Sequence, residues 1–369
     1  MLLQRERLEE YLSALFGEKV DVTRVSEMGA EMKQDPIDLE EGDLKGFGYG
    51  VPYVITAKVC DVTRKLVLGT LRAAGGFGHD HFSDRAAILL WQHSAFSKMP
   101  KHVSSLDVGA FVGDGSLNSL GNCNEFFILT EYVEGKLYHE DLDRLKRFKQ
   151  LERLDTERCR ALSDYLVQIH KVKSRKSELY VRRIRELVGH SECIMGLLDS
   201  YPKNTGVAGE KELIRIEEQC VKWRWKLKKL THRLAQVHGD YHPWNILFRS
   251  SVDFTVLDRS RGEWGEPADD ISALTVNYLF YSLQAHGSLT GVFETLFQLF
   301  WKNYLDKTGD EEILSVVQPF LAWRGLVVAS PIWYPDLSVE VRVKLLNFIQ
   351  NILGTEKLDV KSVNSYLER

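Results

Sequence analysis

The chain has 369 residues, of which 44% are hydrophobic and 27% charged, and its formal net charge is −4. This length exceeds what one small core needs and indicates two domains or lobes. No segment reaches the ~18 uncharged apolar residues of a membrane-spanning helix, and acids stand near the N-terminus where a signal peptide has an apolar run. We therefore expect a cytoplasmic protein without a membrane partner, and the slightly acidic charge balance makes a nucleic-acid partner unlikely.

The cysteines give no sign of a zinc site or a disulfide framework, because they are widely spaced and none lies in a Cys-x-x-Cys pair. We expect all of them to be buried or half-buried free thiols. They are Cys60, Cys123, Cys159, Cys193 and Cys220.

The first third of the chain is predicted to be rich in β-structure. Its apolar residues alternate in several short runs that are enriched in Val, Ile, Tyr and Thr. In chain order, the predicted elements are a helix at residues 2–16, a strand from Val20, strands at Val51–Val62 and Lys65–Arg72, a helix at Asp84–Phe96 and a strand at Phe126–Tyr132.

The remainder of the chain has mainly helical periodicity. Long helical patterns cover Cys159–Val172, Tyr180–Leu198, Glu210–Leu230 and most of 268–305 and 310–352. Two short β-like pieces interrupt them, at Asn245–Phe248 and Phe254–Leu257. We predict an α+β protein with two lobes, a small β-rich lobe at 1–134 and a larger, mainly helical lobe at 135–369.

The strongest local motif is His238-Gly-Asp240-x-x-x-x-Asn245. Phosphoryl transfer needs a carboxylate to orient the acceptor hydroxyl and take its proton, and it needs oxygen ligands for magnesium. Asp240 and Asn245 can supply both groups from one tight loop, and a kinase catalytic loop has the same spacing. Pro243 restricts the backbone of this loop.

Asp258 follows at the end of the second short β-piece. If the two β-pieces pair as a hairpin, Asp258 returns to the side of Asn245. There its carboxylate can join Asn245 in holding magnesium on the nucleotide phosphates. The expected metal ligands are therefore Asn245 and Asp258.

Together with Gly265-Glu-Pro-Ala-Asp-Asp270-Ile, this pattern resembles the aminoglycoside phosphotransferase and choline kinase superfamily. The resemblance implies a protein-kinase-like fold, ATP or GTP as phosphate donor, Mg²⁺, and a small-molecule hydroxyl as acceptor. It also implies that Asp270 is a buried brace for the catalytic loop. Glu266 replaces the first Asp of the family motif. His238 and His242 are expected to hold the loop in shape, whereas Asp253 and Asp269 are expected to be solvated turn or helix-start residues.

The nucleotide-binding residues are less clearly marked. Gly46, Gly48 and Gly50 resemble a glycine-rich loop whose amides can approach phosphates, although a plain hairpin turn would have the same sequence. The strand that carries the phosphate-binding lysine in kinases has none here. Arg72 is the candidate replacement, with Asp84 as its partner, and a structural role for Arg72 stays open.

Residues 130–135 resemble the connector between kinase lobes, where backbone groups bind the adenine. Glu131 and Val133 are the expected contacts. An ordinary strand that ends in a turn is the alternative.

The acceptor cannot be identified from these patterns. The run Lys222–Lys229 is basic with interleaved tryptophans, which can contact nucleic acid but more often places tryptophans in a core beneath a solvated basic face. Trp323-Arg-Gly and Pro331–Pro335 are candidate edges of an acceptor pocket, although packing in the core is the favoured interpretation.

The sequence therefore predicts a small-molecule O-kinase in which Asp240 is the catalytic residue. Two alternatives stay open. One is a nucleotide-binding regulatory protein that has lost transfer activity, and the other is a kinase that acts on a macromolecule. Nothing in the sequence indicates the oligomeric state.

Overall fold

The protein is described here by a computed structural model that covers residues 4–27, 52–71, 81–96, 103–123, 128, 130–202, 208–259 and 261–368. The chain forms two compact units, Met1–Thr130 and Glu131–Arg369. Each unit has its own hydrophobic core. Within the described ranges, no helix is both long and apolar enough to cross a lipid bilayer.

The N-terminal unit contains a three-stranded antiparallel sheet in the order β1-β2-β3. Its elements are α1 (Arg5–Phe16), β1 (Val20–Glu27), β2 (Tyr53–Val59), β3 (Val62–Leu68), α2 (Phe82–Phe96), β4 (Gly109–Phe111) and β5 (Leu117–Ser119). The apolar face of α1, with Leu8 and Leu12, shares a core with inward-facing residues of β1 and β2 such as Val22 and Ile55. This alternation of buried and exposed residues is what a sheet with one covered face requires.

A two-residue turn joins β2 to β3. Both of its residues have positive φ, 46° at Cys60 and 65° at Asp61. Turns of this hand match the right-handed twist of a hairpin, so they divide the predicted Val51–Val62 run into a strand and a turn. Cys60 is consequently exposed, as is Cys123, which corrects the expectation that all thiols are at least half-buried.

The predicted strand at Phe126–Tyr132 is not observed at the positions that the structure describes within it. Residues 128 and 130–132 have no regular structure, and the other three lie outside the described residues. Glu131 is exposed and Val133 half-buried in the same irregular segment.

The C-terminal unit is mainly helical. Its elements are β6 (Lys136–Leu137), α3 (Tyr138–Phe148), α4 (Arg153–His170), α5 (Ser177–Gly189), α6 (Ile194–Ser200), α7 (Glu210–Leu227), β7 (Ala235–Gln236), β8 (Ile246–Phe248), β9 (Phe254–Val256), β10 (Trp264–Gly265), α8 (Pro267–His286), α9 (Gly291–Thr308), α10 (Gln318–Ala329) and α11 (Val339–Leu353). The α+β class predicted from the sequence, with a small sheet-containing N-terminal part and a larger helical C-terminal part, is confirmed.

Three of the predicted long helices are each two helices. The Tyr180–Leu198 pattern breaks after Gly189, and the 268–305 pattern breaks at Gly287, which has a φ of 73°. The 310–352 pattern breaks between α10 and α11. At Gly287 the left-handed conformation, which costs glycine no steric strain, ends the helix.

The basic run at the end of α7 has one tryptophan inside and one outside. Trp223 is buried and its indole N–H donates to the carbonyl of Leu353 at 2.9 Å. Trp225 is 55% exposed, and the ammonium of Lys228 lies 3.2 Å from its ring centroid. The interpretation of a solvated basic face is correct, but only one of the two tryptophans belongs to the core.

Candidate functional site

Two small pieces of sheet position the loop at 238–245. β7 pairs with β10 before the loop, and β8 pairs with β6 and β9 after it. Inside the loop, His242 donates its backbone N–H to the Asp240 carbonyl at 3.0 Å, and Asn245 donates to the His242 carbonyl at 2.9 Å. Pro243 opens the short 3-10 turn that follows His242, where its fixed φ suits the first helical position.

Asp270 braces the start of this loop. Its two carboxylate oxygens accept the backbone N–H groups of His238 at 2.8 Å and Gly239 at 2.7 Å. His170 lies 3.1 Å from the same carboxylate, and its other ring nitrogen lies 2.9 Å from the hydroxyl of Tyr304. Burial alone would raise the pKa of Asp270, but the hydrogen bonds from His170 and the loop outweigh it and lower the pKa. The brace is therefore a buried, ionised carboxylate.

The carboxylate of Asp240 is held from two sides. Arg324 donates to Oδ1 at 2.6 Å, and the Nε2 of His242 lies 3.4 Å from Oδ2. The Nδ1 of His242 accepts the backbone N–H of Trp244, which leaves Nε2 as the protonated nitrogen that faces Asp240. Burial would raise the pKa of Asp240, but the hydrogen bond from His242 and the charge of Arg324 hold it well below its usual range.

Behind Asp240 lies a network of ion pairs that links three helices. Arg324, on α10, also donates to the carbonyl of Gly239 at 2.9 Å and to Asp269 at 2.8 Å. The other oxygen of Asp269 accepts from Arg183, on α5, at 3.2 Å. Asp269 stands in the first turn of α8, as a helix-start residue does, but it is 1% exposed, so the expectation that it is solvated is wrong. A buried carboxylate needs such partners because desolvation of an unpaired charge is costly.

The predicted hairpin is present, and its backbone pairing places Asp258 next to the partner of Asn245. β8 pairs with β9, and the backbone N–H of Leu257 donates to the Asn245 carbonyl at 2.8 Å, so Asp258 follows directly beside it. The Asn245 amide nitrogen donates to the Asp240 carbonyl at 3.1 Å, which leaves the amide oxygen as an acceptor. Asp258 has a φ of 50°, a left-handed conformation that Asp tolerates better than most residues.

This pair of oxygen donors suits magnesium, because hard divalent cations prefer carboxylate and amide oxygens. In the part of the chain that the structure describes, no group of three or more His, Cys, Asp and Glu side chains could hold a metal ion. An amide oxygen and one carboxylate are a sparse set, which fits a metal whose other ligands are phosphate and water.

His238 and Gly239 shape the loop from within. The Nδ1 of His238 accepts the backbone N–H of Asp240 at 3.2 Å, and burial lowers the pKa of the imidazole. Gly239 has a φ of 84°, and a Cβ there would meet Arg183 and Arg261 at 3.2 Å. The positive φ therefore favours glycine at this position, and a Cβ would make both arginines shift by a few tenths of an ångström.

Glu266 has a structural position at the start of α8. Its side chain accepts the N–H of Ala268, pairs with Arg233 at 2.7 Å and accepts from Tyr180 at 2.8 Å. It is fully buried.

A cavity of about 680 Å³ in the C-terminal unit has Asp240 in its wall. Trp323 and Arg324 of α10 line it, as do Trp333 and Tyr334 of the segment before α11. Trp323 and Arg324 are also buried, so they belong both to the core and to the wall of the cavity.

The residues expected to bind nucleotide are incompletely covered by the structure. Gly46, Gly48, Gly50 and Arg72 lie outside the described residues. Asp84 lies in the first turn of α2, where its carboxylate accepts the backbone N–H of His81 at 3.1 Å.

The sequence offers Arg324 only as a candidate edge of an acceptor pocket and does not predict that it pairs with Asp240, or that Asp269 and Arg183 form the network behind it. A signal was present for Arg324, which is the sole charged residue of the apolar helix Gln318–Ala329. A lone charge inside an apolar helix indicates a buried ionic partner. The identity of that partner, 84 residues away along the chain, has no local signature.

Comparison with known proteins gives a family match over residues 84–287, more than half of the chain, to the phosphotransferase enzyme family, APH. This confirms the resemblance to the aminoglycoside phosphotransferase and choline kinase superfamily. No curated protein matches the sequence detectably.

Several solved structures are similar to the chain at low identity. Amicoumacin kinase hAmiN in complex with AMP-PNP, Ca²⁺ and Ami is 14% identical, with 84% of this chain and 87% of that chain covered and a TM-score of 0.40. A thermostable mutant of aminoglycoside phosphotransferase APH(4)-Ia is 12% identical, with 94% and 98% covered and a TM-score of 0.38. Choline kinase from Cryptosporidium parvum Iowa II is 10% identical, with 94% and 86% covered and a TM-score of 0.32.

Proposed function

Because the chain belongs to the phosphotransferase enzyme family APH, we propose that it transfers the γ-phosphate of ATP, with Mg²⁺, to a hydroxyl group of a small molecule. The observation that carries this proposal is the position of Asp240. Its carboxylate lies in the wall of a cavity large enough for a small-molecule acceptor, and two donors fix its orientation.

In this proposal the hydroxyl of the substrate donates a hydrogen bond to Asp240. This bond points a lone pair of the hydroxyl oxygen toward the γ-phosphorus. A carboxylate with a depressed pKa is a weak base. Its main contribution is therefore orientation, and it takes the proton late, as the bond from oxygen to phosphorus forms and the bond to the leaving ADP breaks. Arg324 and His242 hold the carboxylate in place during this step.

Asn245 and Asp258 are the proposed magnesium ligands. The metal would neutralise charge on the phosphates and leave the protein to orient the acceptor. Asp270, His238 and His242 support the loop that carries Asp240 and Asn245. Gly46, Gly48, Gly50, Arg72, Asp84, Glu131 and Val133 are the proposed nucleotide contacts.

The test compares Asp240→Asn with Asp253→Asn. Both changes remove one carboxylate and keep its shape, but Asp253 is an exposed residue that pairs with Arg249 on a surface turn. We expect Asp240→Asn to reduce ADP release, with water or an alcohol panel as acceptor, by about 10²–10⁴-fold, while MgATP still binds in calorimetry. Asp253→Asn should retain wild-type turnover.

Two results would contradict the proposal. Wild-type turnover in Asp240→Asn would remove the catalytic assignment. Tight MgATP binding by the wild type, with no transfer to water or to any alcohol in the panel, would instead favour a nucleotide-binding regulatory protein.

A further inference from the structure

Part of the wall of the cavity beside Asp240 is aromatic. Trp244, Trp323, Trp333 and Tyr334 contribute to its wall. Trp333 is 66% exposed and its neighbour Ile332 is 59% exposed, so the apolar lining continues outward to the surface. Flat aromatic walls favour ligands with a ring or another rigid apolar body, because such ligands bury large areas at little entropic cost.

The same cavity has little capacity for a cationic ligand. Among the described residues that line it, the acids are Asp240 and Glu192. Asp240 is already paired with Arg324, and the side chain of Glu192 is 65% exposed and lies 3.3 Å from Arg261. An incoming ammonium group would therefore find no buried carboxylate that is free to pair with it.

Aromatic rings can also bind a cation directly, but the ring of Trp323 already has two arginines beside it. The guanidinium of Arg324 lies 3.8 Å from the centroid of Trp323, and that of Arg261 lies 4.9 Å from it. A third cation at this ring would be repelled by both.

In the described cavity lining, an arginine and an amide each have a buried polar atom that still lacks a hydrogen-bond partner. In the described part of the chain, the buried Nε of Arg261 and the buried Oδ1 of Asn277 have no hydrogen-bond partner. Both residues line the cavity. The Nη1 of Arg261 lies 3.6 Å from the sulfur of Cys193, and burial raises the pKa of that thiol to about 11, so the thiol stays neutral and leaves the arginine charge intact.

We propose that the acceptor is an alcohol with a flat apolar body and one carboxylate, and that this carboxylate pairs with Arg261 while the hydroxyl faces Asp240. The proposal rests on the proposed kinase function for the role of Asp240, but the binding preference stands on the cavity alone. Arg261 can take a new partner because Glu192, which pairs with it at 3.3 Å, is exposed and a ligand carboxylate can replace it, and the planar fork of the guanidinium matches a carboxylate. Asn277 would accept a hydrogen bond from a donor on the ligand.

Three matched probes test the charge preference. They are biphenyl compounds with a hydroxymethyl group at one end and a carboxylate, a carboxamide or an aminomethyl group at the other. Calorimetry with the full, nucleotide-free protein measures each Kd. We expect the carboxylate to bind about tenfold more tightly than the carboxamide, which is the effect of a favourable charge pair of modest strength, and the ammonium to bind most weakly.

Substitution of Arg261 tests the assigned contact. Arg261→Gln should weaken the carboxylate probe about tenfold and change the carboxamide less than twofold, because only the charge pair is lost. Arg261→Lys keeps the positive charge and should retain part of the preference for the carboxylate probe. That result would show that the substitutions leave the pocket itself intact. Arg249→Gln is the matched control, since Arg249 pairs with Asp253 on a surface turn and does not line the cavity.

The proposal is overturned if the ammonium probe binds best, if none of the three probes binds, or if Arg261→Gln weakens all three alike. Because binding is measured without nucleotide, it is independent of catalysis. If the carboxylate preference is found but neither the bound probe nor any alcohol of the panel is phosphorylated with MgATP, the kinase function fails while the assignment of Arg261 to a ligand carboxylate holds.

Discussion

Arg324 donates one hydrogen bond to Asp240 at 2.6 Å and another to Asp269 at 2.8 Å, so one buried guanidinium joins the candidate catalytic carboxylate to the helix behind it. Each charge in this network depends on the others, because an unpaired ion is costly in a dry interior. The orientation of Asp240 is therefore set by α10 and α8 as well as by its own loop.

We expect Arg324→Gln to lower kcat about 100-fold, since a small displacement of an orienting group has effects of that size. The loss of the cation also raises the pKa of Asp240, because Arg324 lowers it in the native protein. The acid limb of the profile of kcat/KM against pH should consequently move to higher pH. Initial rates of ADP release are measured between about pH 4 and pH 9. The wild type should show no acid limb from Asp240 in this range, because the pKa of Asp240 lies well below its usual value, whereas Arg324→Gln should lose activity at the acid end.

Arg324→Lys is the control for this prediction. It keeps the positive charge but loses the fork that reaches both carboxylates. Its acid limb should move less than that of Arg324→Gln. An unchanged acid limb in Arg324→Gln, with reduced activity, would mean that Arg324 contributes to folding alone.

The loop residues could be predicted from the sequence, and the network behind them could not. Asp240, Asn245 and Asp258 lie within a short stretch whose spacing follows from one turn and one hairpin, which are local structures. The contacts of Arg324 and Arg183 with Asp269 form only when three helices pack, and no local periodicity specifies such partners.

The sequence pattern predicted the type of most elements of the fold but not all of their ends. Alternation and helical periodicity identified the β-rich and helical parts, but they did not reveal where a helix ends within a continuous apolar pattern. The break after Gly189 and the burial of Asp269 both depend on tertiary packing.

The brace on the loop predicts a pH-dependent loss of stability in Asp270→Asn. At neutral pH the substitution removes a buried carboxylate oxygen that accepts hydrogen bonds from the loop backbone and from His170. We expect it to lower the free energy of unfolding by about 3–5 kcal/mol. The pKa of Asp270 is lowered in the folded protein, so its contribution is complete above the unfolded-state value of about 4 and is lost as the pH falls through the lower folded-state pKa.

Urea unfolding of the wild type and of Asp270→Asn at several pH values checks this. The difference between them should be largest near neutrality and should shrink below a pH of about 4. Asp306→Asn removes an exposed acid on α9 that pairs with Lys302, and it should leave the unfolding midpoint unchanged. A difference that is constant with pH would contradict the assigned ionisation of Asp270.

A pair of glycine substitutions separates backbone strain from crowding. Gly239 and Gly309 both have positive φ, 84° and 66°, but an added Cβ meets Arg183 and Arg261 at Gly239 and nothing within 4 Å at Gly309. Gly309→Ala should lower the free energy of unfolding by ~1 kcal/mol, because alanine is strained in the left-handed conformation. Gly239→Ala should lower the free energy of unfolding by more than that. It should also reduce kcat, because the added methyl group displaces an arginine and the backbone of the Asp240 loop. Equal losses of stability with unchanged kcat would show that the Asp240 loop tolerates the extra methyl group.

The proposed metal ligands predict a specific change in the dependence on magnesium. Asp258→Asn replaces a carboxylate with a neutral amide, and Asn245→Ala removes the amide oxygen altogether, so each weakens a site built from hard oxygen donors. We expect the magnesium concentration at half-maximal turnover to rise about tenfold or more in both variants, and excess EDTA to abolish turnover of the wild type.

Asp253→Asn is the matched control for the metal titration, since it removes a carboxylate from the same hairpin at a solvent-exposed position that pairs with Arg249. Its magnesium dependence should equal that of the wild type. If Asp258→Asn instead lowers the maximal rate at saturating magnesium and leaves the half-maximal concentration unchanged, Asp258 acts on the geometry of the loop, and its left-handed backbone at φ 50° becomes its main contribution to the site.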